Sequence, residues 1–200
     1  SASMRSDRQG AADRAAAQLK KFVDAESLNP VQSSVYLSTL SMFSMASSDS
    51  VETLQQLETA RKKLQGTPLA NSVVTMIVQN FLRSGKADEA KRELDELMKS
   101  TEDGKAFLPL ATMFVQSLGS KFPEEANQVD AKAIKIAESF VAGETISRED
   151  FTAYFGFAQA RASRLARINP SDALAQLKSI EANLDRYSKS DSSKAVSYTH

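Results

Sequence analysis

Five times along this chain a small residue is followed four positions later by an aliphatic side chain, and three positions after that by another apolar one. The pattern falls at Ala15/Leu19/Phe22, Ser50/Leu54/Leu57, Ala90/Leu94/Leu97, Ala133/Ala137/Phe140 and Ala173/Leu177/Ile180. Four-and-three spacing puts all three positions of each set on one face of a helix. The sets start at residues 15, 50, 90, 133 and 173, between 35 and 43 residues apart. That distance holds one helical hairpin and a turn. A single hairpin cannot bury its own apolar face, so a chain built this way must stack hairpins on one another.

The punctuation between these stripes agrees. Asn29-Pro30 and Asn169-Pro170 each pair a capping side chain with a proline suited to the first helical position. Asp49 with Glu52, and Ser147 with Asp150, have the spacing of capping boxes. Gly66, Gly85, Gly104, Gly119 and Gly143 stand where one periodic segment stops and the next begins. Thr67-Pro68 reads as a further helix start. Pro109 sits early in its segment and is tolerable only within about the first turn. The segment carrying Val73, Val74, Ile77, Val78 and Phe81 is apolar around much of its girth, which predicts a central helix. Stripes are also expected at Tyr36/Leu40/Phe43, at Phe107/Leu110/Phe114/Leu118 and at Ala173/Leu177/Ile180/Leu184/Tyr187. The prediction is an all-α chain of about nine helices and no strand, arranged as stacked antiparallel hairpins of an α-solenoid. Residues 1–10 and 188–200 are read as flexible ends, with the repeat domain over 11–187.

The unit from Asn71 to Glu102 resembles a tetratricopeptide repeat. Its first helix carries Val74, Ile77, Val78 and Phe81, Gly85 lies at the turn, and Asp88-Glu89-Ala90, Leu94 and Leu97 follow in the second. Elsewhere the likeness is coarser: the unit spacing exceeds that family's usual length, and the small residue expected at Val78 is missing, with Gly156 the nearest equivalent in a later helix. The resemblance implies a right-handed superhelix that binds a protein or peptide on a concave face lined by the first helix of each pair. One subclass of the family clamps a terminal carboxylate with lysine and asparagine. At the matching places this chain has Thr75 and Gln79, so that clamp does not carry over.

Composition limits the chemistry. Cysteine is absent, and the one histidine is His200, which removes thiol nucleophiles, zinc–thiolate sites and nearly all imidazole catalysis. Lys+Arg and Asp+Glu are both 25, so no basic excess favours nucleic acid. No apolar run reaches the ~18 residues that span a bilayer. No glycine loop suited to phosphate and no metal-ligand spacing occurs, so no cofactor, metal or catalytic residue is expected. Compartment stays open. Four methionines, Met42, Met45, Met76 and Met113, read as adaptable core filler, with a pliable binding surface as the lesser alternative.

The functional expectation is therefore a non-catalytic interaction or scaffolding module. The alternative is a helical accessory or regulatory domain of an enzyme whose catalytic part lies elsewhere. Within the tetratricopeptide-like frame, the groove-facing positions are Ser34, Ser38 and Ser41, then Thr75, Gln79 and Arg83, then Gln116, and finally Phe157, Arg161 and Arg164. In the aromatic cluster, Phe151, Tyr154 and Phe155 are assigned to the core. Phe157 is read as an exposed anchor, with Arg161 and Arg164 beside it for an acidic peptide.

Overall fold

A computed structural model describes residues 2–47 and 50–197. Among these residues every regular element is a helix: α1 (Ala2–Asp24), α2 (Pro30–Ala46), α3 (Ser50–Lys63), α4 (Ala70–Arg83), α5 (Ala87–Ser100), α6 (Gly104–Leu118), α7 (Pro123–Phe140), α8 (Arg148–Ile168) and α9 (Pro170–Ser197). Helices pack mainly on their neighbours in sequence, as stacked hairpins require. The chain divides into two compact units, Ser1–Leu97 and Met98–His200. No described helix is long and apolar enough to cross a membrane.

Within the first unit, α1 lies on α2, α2 on α3, and α3 on α4. Asn29 starts α2 with a capping box: its side chain accepts from the Gln32 amide at 2.9 Å, and the Gln32 side chain accepts from the Asn29 amide at 2.9 Å. Leu19, Tyr36, Leu40, Leu57, Leu64, Val73, Ile77 and Leu94 are fully buried. In α4, Ile77, Val78 and Phe81 are buried as expected; Val73 joins them, and Val74 is half-buried. The turn into α5 is a Schellman arrangement: Lys86 N–H reaches the Phe81 carbonyl at 2.9 Å and Gly85 N–H the Leu82 carbonyl at 3.2 Å. Gly85 adopts φ +72, which only glycine takes without strain. Helix ends here are also closed by cations from later helices. Lys63 of α3 donates to the carbonyls of Val23, in the last turn of α1, and of Ala25, just past it. Arg83 of α4 donates to the Ser44 carbonyl at 2.9 Å in the last turn of α2. Both sit where the helix dipole leaves negative charge.

In the second unit α6 pairs with α7, α8 packs on both, and α9 covers α8. Gly104 opens α6 against the end of α7: a methyl group there would lie 2.8 Å from Ile136 Cγ2 and 3.1 Å from the Phe140 ring. Arg186 of α9 donates to the carbonyls of Val141 and Gly143, each at 2.8 Å, closing the end of α7. Along the α8–α9 seam, Phe151 stacks on Tyr187 with ring centroids 4.4 Å apart. Tyr154 is fully buried, and its hydroxyl accepts from Asn183 Nδ2 at 3.0 Å.

Several expectations are revised. Helix α1 begins at Ala2 rather than Ala11, and α9 runs to Ser197 rather than ending near Tyr187. The Lys189–Asp185 pair, four residues apart in α9, supports helix there. Thr67-Pro68 forms the turn before α4, which starts at Ala70; the Thr67 hydroxyl donates to the Leu64 carbonyl at 2.7 Å. Pro109 lies inside α6, beyond its first turn. Met42 and Met45 are not core filler; they are 60% and 70% exposed. In α9 the buried residues are Ala173, Gln176 and Ile180, so Leu177 and Leu184 face outward. Gly156 is exposed with no neighbour near its Cα hydrogens, so it makes no close helix contact. The Asp49 cap lies outside the described residues.

Candidate functional site

The buried stripe of α7 contains a carboxylate. Ala126, Asp130, Ala133 and Ala137 follow the four-three-four spacing of a packed face, and Asp130 is 9% exposed. An ionised carboxylate in that position needs cations and hydrogen bonds. Helix α8 supplies them. Arg161 Nε donates to Asp130 Oδ2 at 2.8 Å, and Arg164 Nη2 donates to Asp130 Oδ1. Arg161 reaches further, with Nη1 donating to Gln176 Oε1 of α9 at 2.7 Å. One carboxylate thus holds two guanidinium groups, and one of these ties α7 and α8 to α9. The cluster leaves a surplus positive charge on the α8 face.

Beside it, a groove of about 690 Å³ opens between the end of α6, the start of α7 and the second half of α8. Val115, Ala126, Ala160 and Ile168 supply its apolar surface. Gln116, Ser120, Asn127 and Ser163 supply neutral polar groups. The charged side chains lining it are Arg164 and Arg167, with no carboxylate among the lining residues. Arg164 is held by Asp130, whereas Arg167 is exposed at the last turn of α8. Next to it, Ile168 is 71% exposed. The groove therefore carries a free cation and a free aliphatic side chain side by side on its lip.

The six residues singled out from the sequence divide between the two units. Thr75, Gln79 and Arg83 belong to the first unit, and Phe157, Arg161 and Arg164 to the second. Thr75 is half-buried, and its hydroxyl donates to the Asn71 carbonyl at 3.0 Å. Gln79 is exposed on α4. Arg83 is engaged with both the carbonyl and the hydroxyl of Ser44, so it closes α2 rather than offering an open guanidinium. Phe157 is 6% exposed and is a core side chain, not an anchor. The reason is that α8 is packed on two sides, by α6 and α7 and by α9, so a residue off its first apolar stripe lands in the second. Arg161 is consumed by Asp130 and Gln176. Only Arg164, together with Gln116, lines the groove.

Ile168 was not singled out as a contact residue, and Asp130 was not singled out at all. The signal for Asp130 was present: a carboxylate in register with Ala126, Ala133 and Ala137. The cations that answer it lie 31 and 34 residues away, beyond local periodicity.

A second cluster of charges lies at the start of α8. Ser147 Oγ accepts from the Asp150 amide at 3.0 Å and donates to Asp150 Oδ2 at 2.6 Å. Lys105 Nζ stands 2.9 Å from Asp150 Oδ1 and 3.0 Å from Glu149 Oε1. The Ser147 hydrogen bond, followed by Lys105, holds the Asp150 carboxyl below the usual aspartate value, and the two acids raise Lys105. This is an exposed helix cap with an ion pair. No protein-family model, curated protein or solved structure matches the chain.

Proposed function

We propose that this chain is a non-catalytic protein-interaction module, a tetratricopeptide-like array of hairpins that takes a short acidic segment of a partner protein into the α6–α7–α8 groove. The observation that carries the reading is the lining: its two charged side chains are both arginines, set against an apolar floor. Arginine gives planar, bidentate donors to carboxylates. The Arg167–Ile168 pair adds an aliphatic contact beside the cation, a combination suited to an acidic residue next to an apolar one. Arginine and well-packed apolar anchors are where interface energy concentrates. Asp130 pins Arg164 in place, so less rotamer entropy is lost when a ligand arrives.

A random-peptide display selection against the folded chain tests this. Enriched sequences are expected to carry Asp or Glu next to an aliphatic or aromatic residue. The Arg167→Glu/Ile168→Ala double variant is expected to lose that enrichment at least tenfold while melting as the parent does, because both side chains are exposed. Enrichment of neutral or basic sequences, or an undiminished signal from the double variant, would overturn the reading.

A further inference from the structure

Helix α2 contains no charged residue over Pro30–Ala46. One face is in the core through Ser33, Tyr36, Leu40, Phe43 and Ser44. The opposite face is also apolar, yet uncovered: Val31 is 73% exposed, Val35 41%, Met42 60% and Met45 70%. With Ser38 these residues follow the four-three-four-three spacing of a helix–helix seam. They run over about 21 Å of helix at ~1.5 Å per residue.

Two serines on this face are already satisfied. Ser34 Oγ donates to the Pro30 carbonyl at 3.1 Å, and Ser38 Oγ donates to the Ser34 carbonyl at 3.0 Å. Covering these two therefore leaves neither hydroxyl donor without an acceptor, which lowers the penalty for burying them.

The order of sizes along the face identifies what fits it. Turn a second α2 antiparallel about an axis at Ser38. Val31 then meets Met45, Met42 meets Ser34, Val35 meets Ser41, and Ser38 meets its own copy. Inside the outermost Val31–Met45 pairs, bulky side chains face small ones on either side of the axis, and a serine lies at the crossing, where backbones come closest. A two-fold contact requires such self-complementarity. With no charge along the helix, no like charges oppose each other across the axis. By contrast, the exposed Leu174/Leu177/Leu184 stripe of α9 carries Glu181, which an antiparallel pairing centred on that stripe would set against Leu177.

We propose that the α2 face is an isologous dimer contact, in which two copies of this chain pair antiparallel about Ser38. One helix face is smaller than the ~800 Å² per partner of a standard interface, so the association is weak and its extent depends on concentration.

Sedimentation equilibrium from micromolar to millimolar chain is expected to show a reversible monomer–dimer equilibrium. Ser38→Glu sets two carboxylates together at the axis and is expected to lower the association constant at least tenfold, with helicity unchanged because Ser38 is exposed. Crosslinking tests the geometry independently, since the chain has no cysteine of its own. Ser38→Cys is expected to form a disulfide with its own copy under mild oxidation. Val31→Cys alone and Met45→Cys alone are expected not to do so, whereas a mixture of these two variants is expected to crosslink. A monomer at every concentration, a dimer indifferent to Ser38→Glu, or Val31→Cys self-crosslinking as fast as Ser38→Cys would each overturn the proposal.

Discussion

Asp130 of α7 and Arg161 of α8 are joined by a hydrogen-bonded ion pair of 2.8 Å, with side-chain exposures of 12% and 22%. The same carboxylate holds Arg164 through its other oxygen. Removing the carboxylate leaves two guanidinium groups facing each other in a poorly hydrated place. Breaking a fully buried pair from one side costs about 3–5 kcal/mol. The arginines here keep some water, so Asp130→Ala is expected to destabilise the second unit by about 2–3 kcal/mol, less than for a fully buried pair. Urea unfolding of the variant checks this. A loss within error of zero would mean that the pair contributes nothing beyond its desolvation.

Leu94 of α5 is fully buried, as its place in the repeated stripe predicts. Leu94→Ala is expected to cost about 2–5 kcal/mol through lost burial and the cavity left behind. Leu177 occupies the equivalent place in the last stripe but is 52% exposed. Leu177→Ala is expected to change stability by no more than about 0.5 kcal/mol, the range of a surface substitution. Thermal or chemical melts of the two variants side by side measure the contrast. Equal losses would contradict the assigned phase of α9.

Gly85 closes α4 in the left-handed region at φ +72, and no atom lies near the position of a Cβ. The cost of a side chain there is therefore backbone strain alone, without a clash. Gly85→Ala is expected to destabilise by about 1–2 kcal/mol. Gly85→Asn should cost less, because asparagine visits this region more readily. Equilibrium unfolding of both variants tests the ranking, which fails if alanine and asparagine are equivalent.

Where the chain is locally determined, the sequence was legible. The Asn29-Pro30 and Asn169-Pro170 starts, the Ser147/Asp150 cap and the Gly85 stop all act within a few residues, and each stands where expected. The faces were less legible, because a face is fixed by what packs on it. Phe157 was assigned outward on the strength of one stripe, but α8 has neighbours on two sides. Gln176 displaced Leu177 from the buried face of α9 because Arg161 of α8 offers it a hydrogen bond. Periodicity alone ranks leucine above glutamine and cannot see that donor. Met42 and Met45 read as core because hydrophobic side chains are usually covered. Their exposure becomes visible only when the other face of α2 is seen to be occupied.

The cap at the start of α8 gives a pH dependence with two limbs. Ser147 and Lys105 lower the Asp150 carboxyl relative to its unfolded value of 3.8, so the folded state holds the ionised form more firmly. That contribution is present above the unfolded value and is lost as pH falls through the lower, folded one. Lys105 is raised from 10.5 by the hydrogen bonds to Asp150 and Glu149. Its contribution is present below the unfolded value and is lost as pH rises through the higher, folded one. Between these limits both groups are charged in folded and unfolded chains, and their effect is constant. The difference in unfolding free energy between the parent and Asp150→Asn is therefore expected to be flat from about pH 5 to 9. It should shrink below pH ~4, and again above pH ~10.5, where Lys105 loses its charge. Both groups are well solvated, so the effect is small and falls further with added salt. Paired urea titrations across this range measure it. A difference that grows on acidification would reverse the sign and contradict the assignment of Asp150 as a carboxylate stabilised in the folded state.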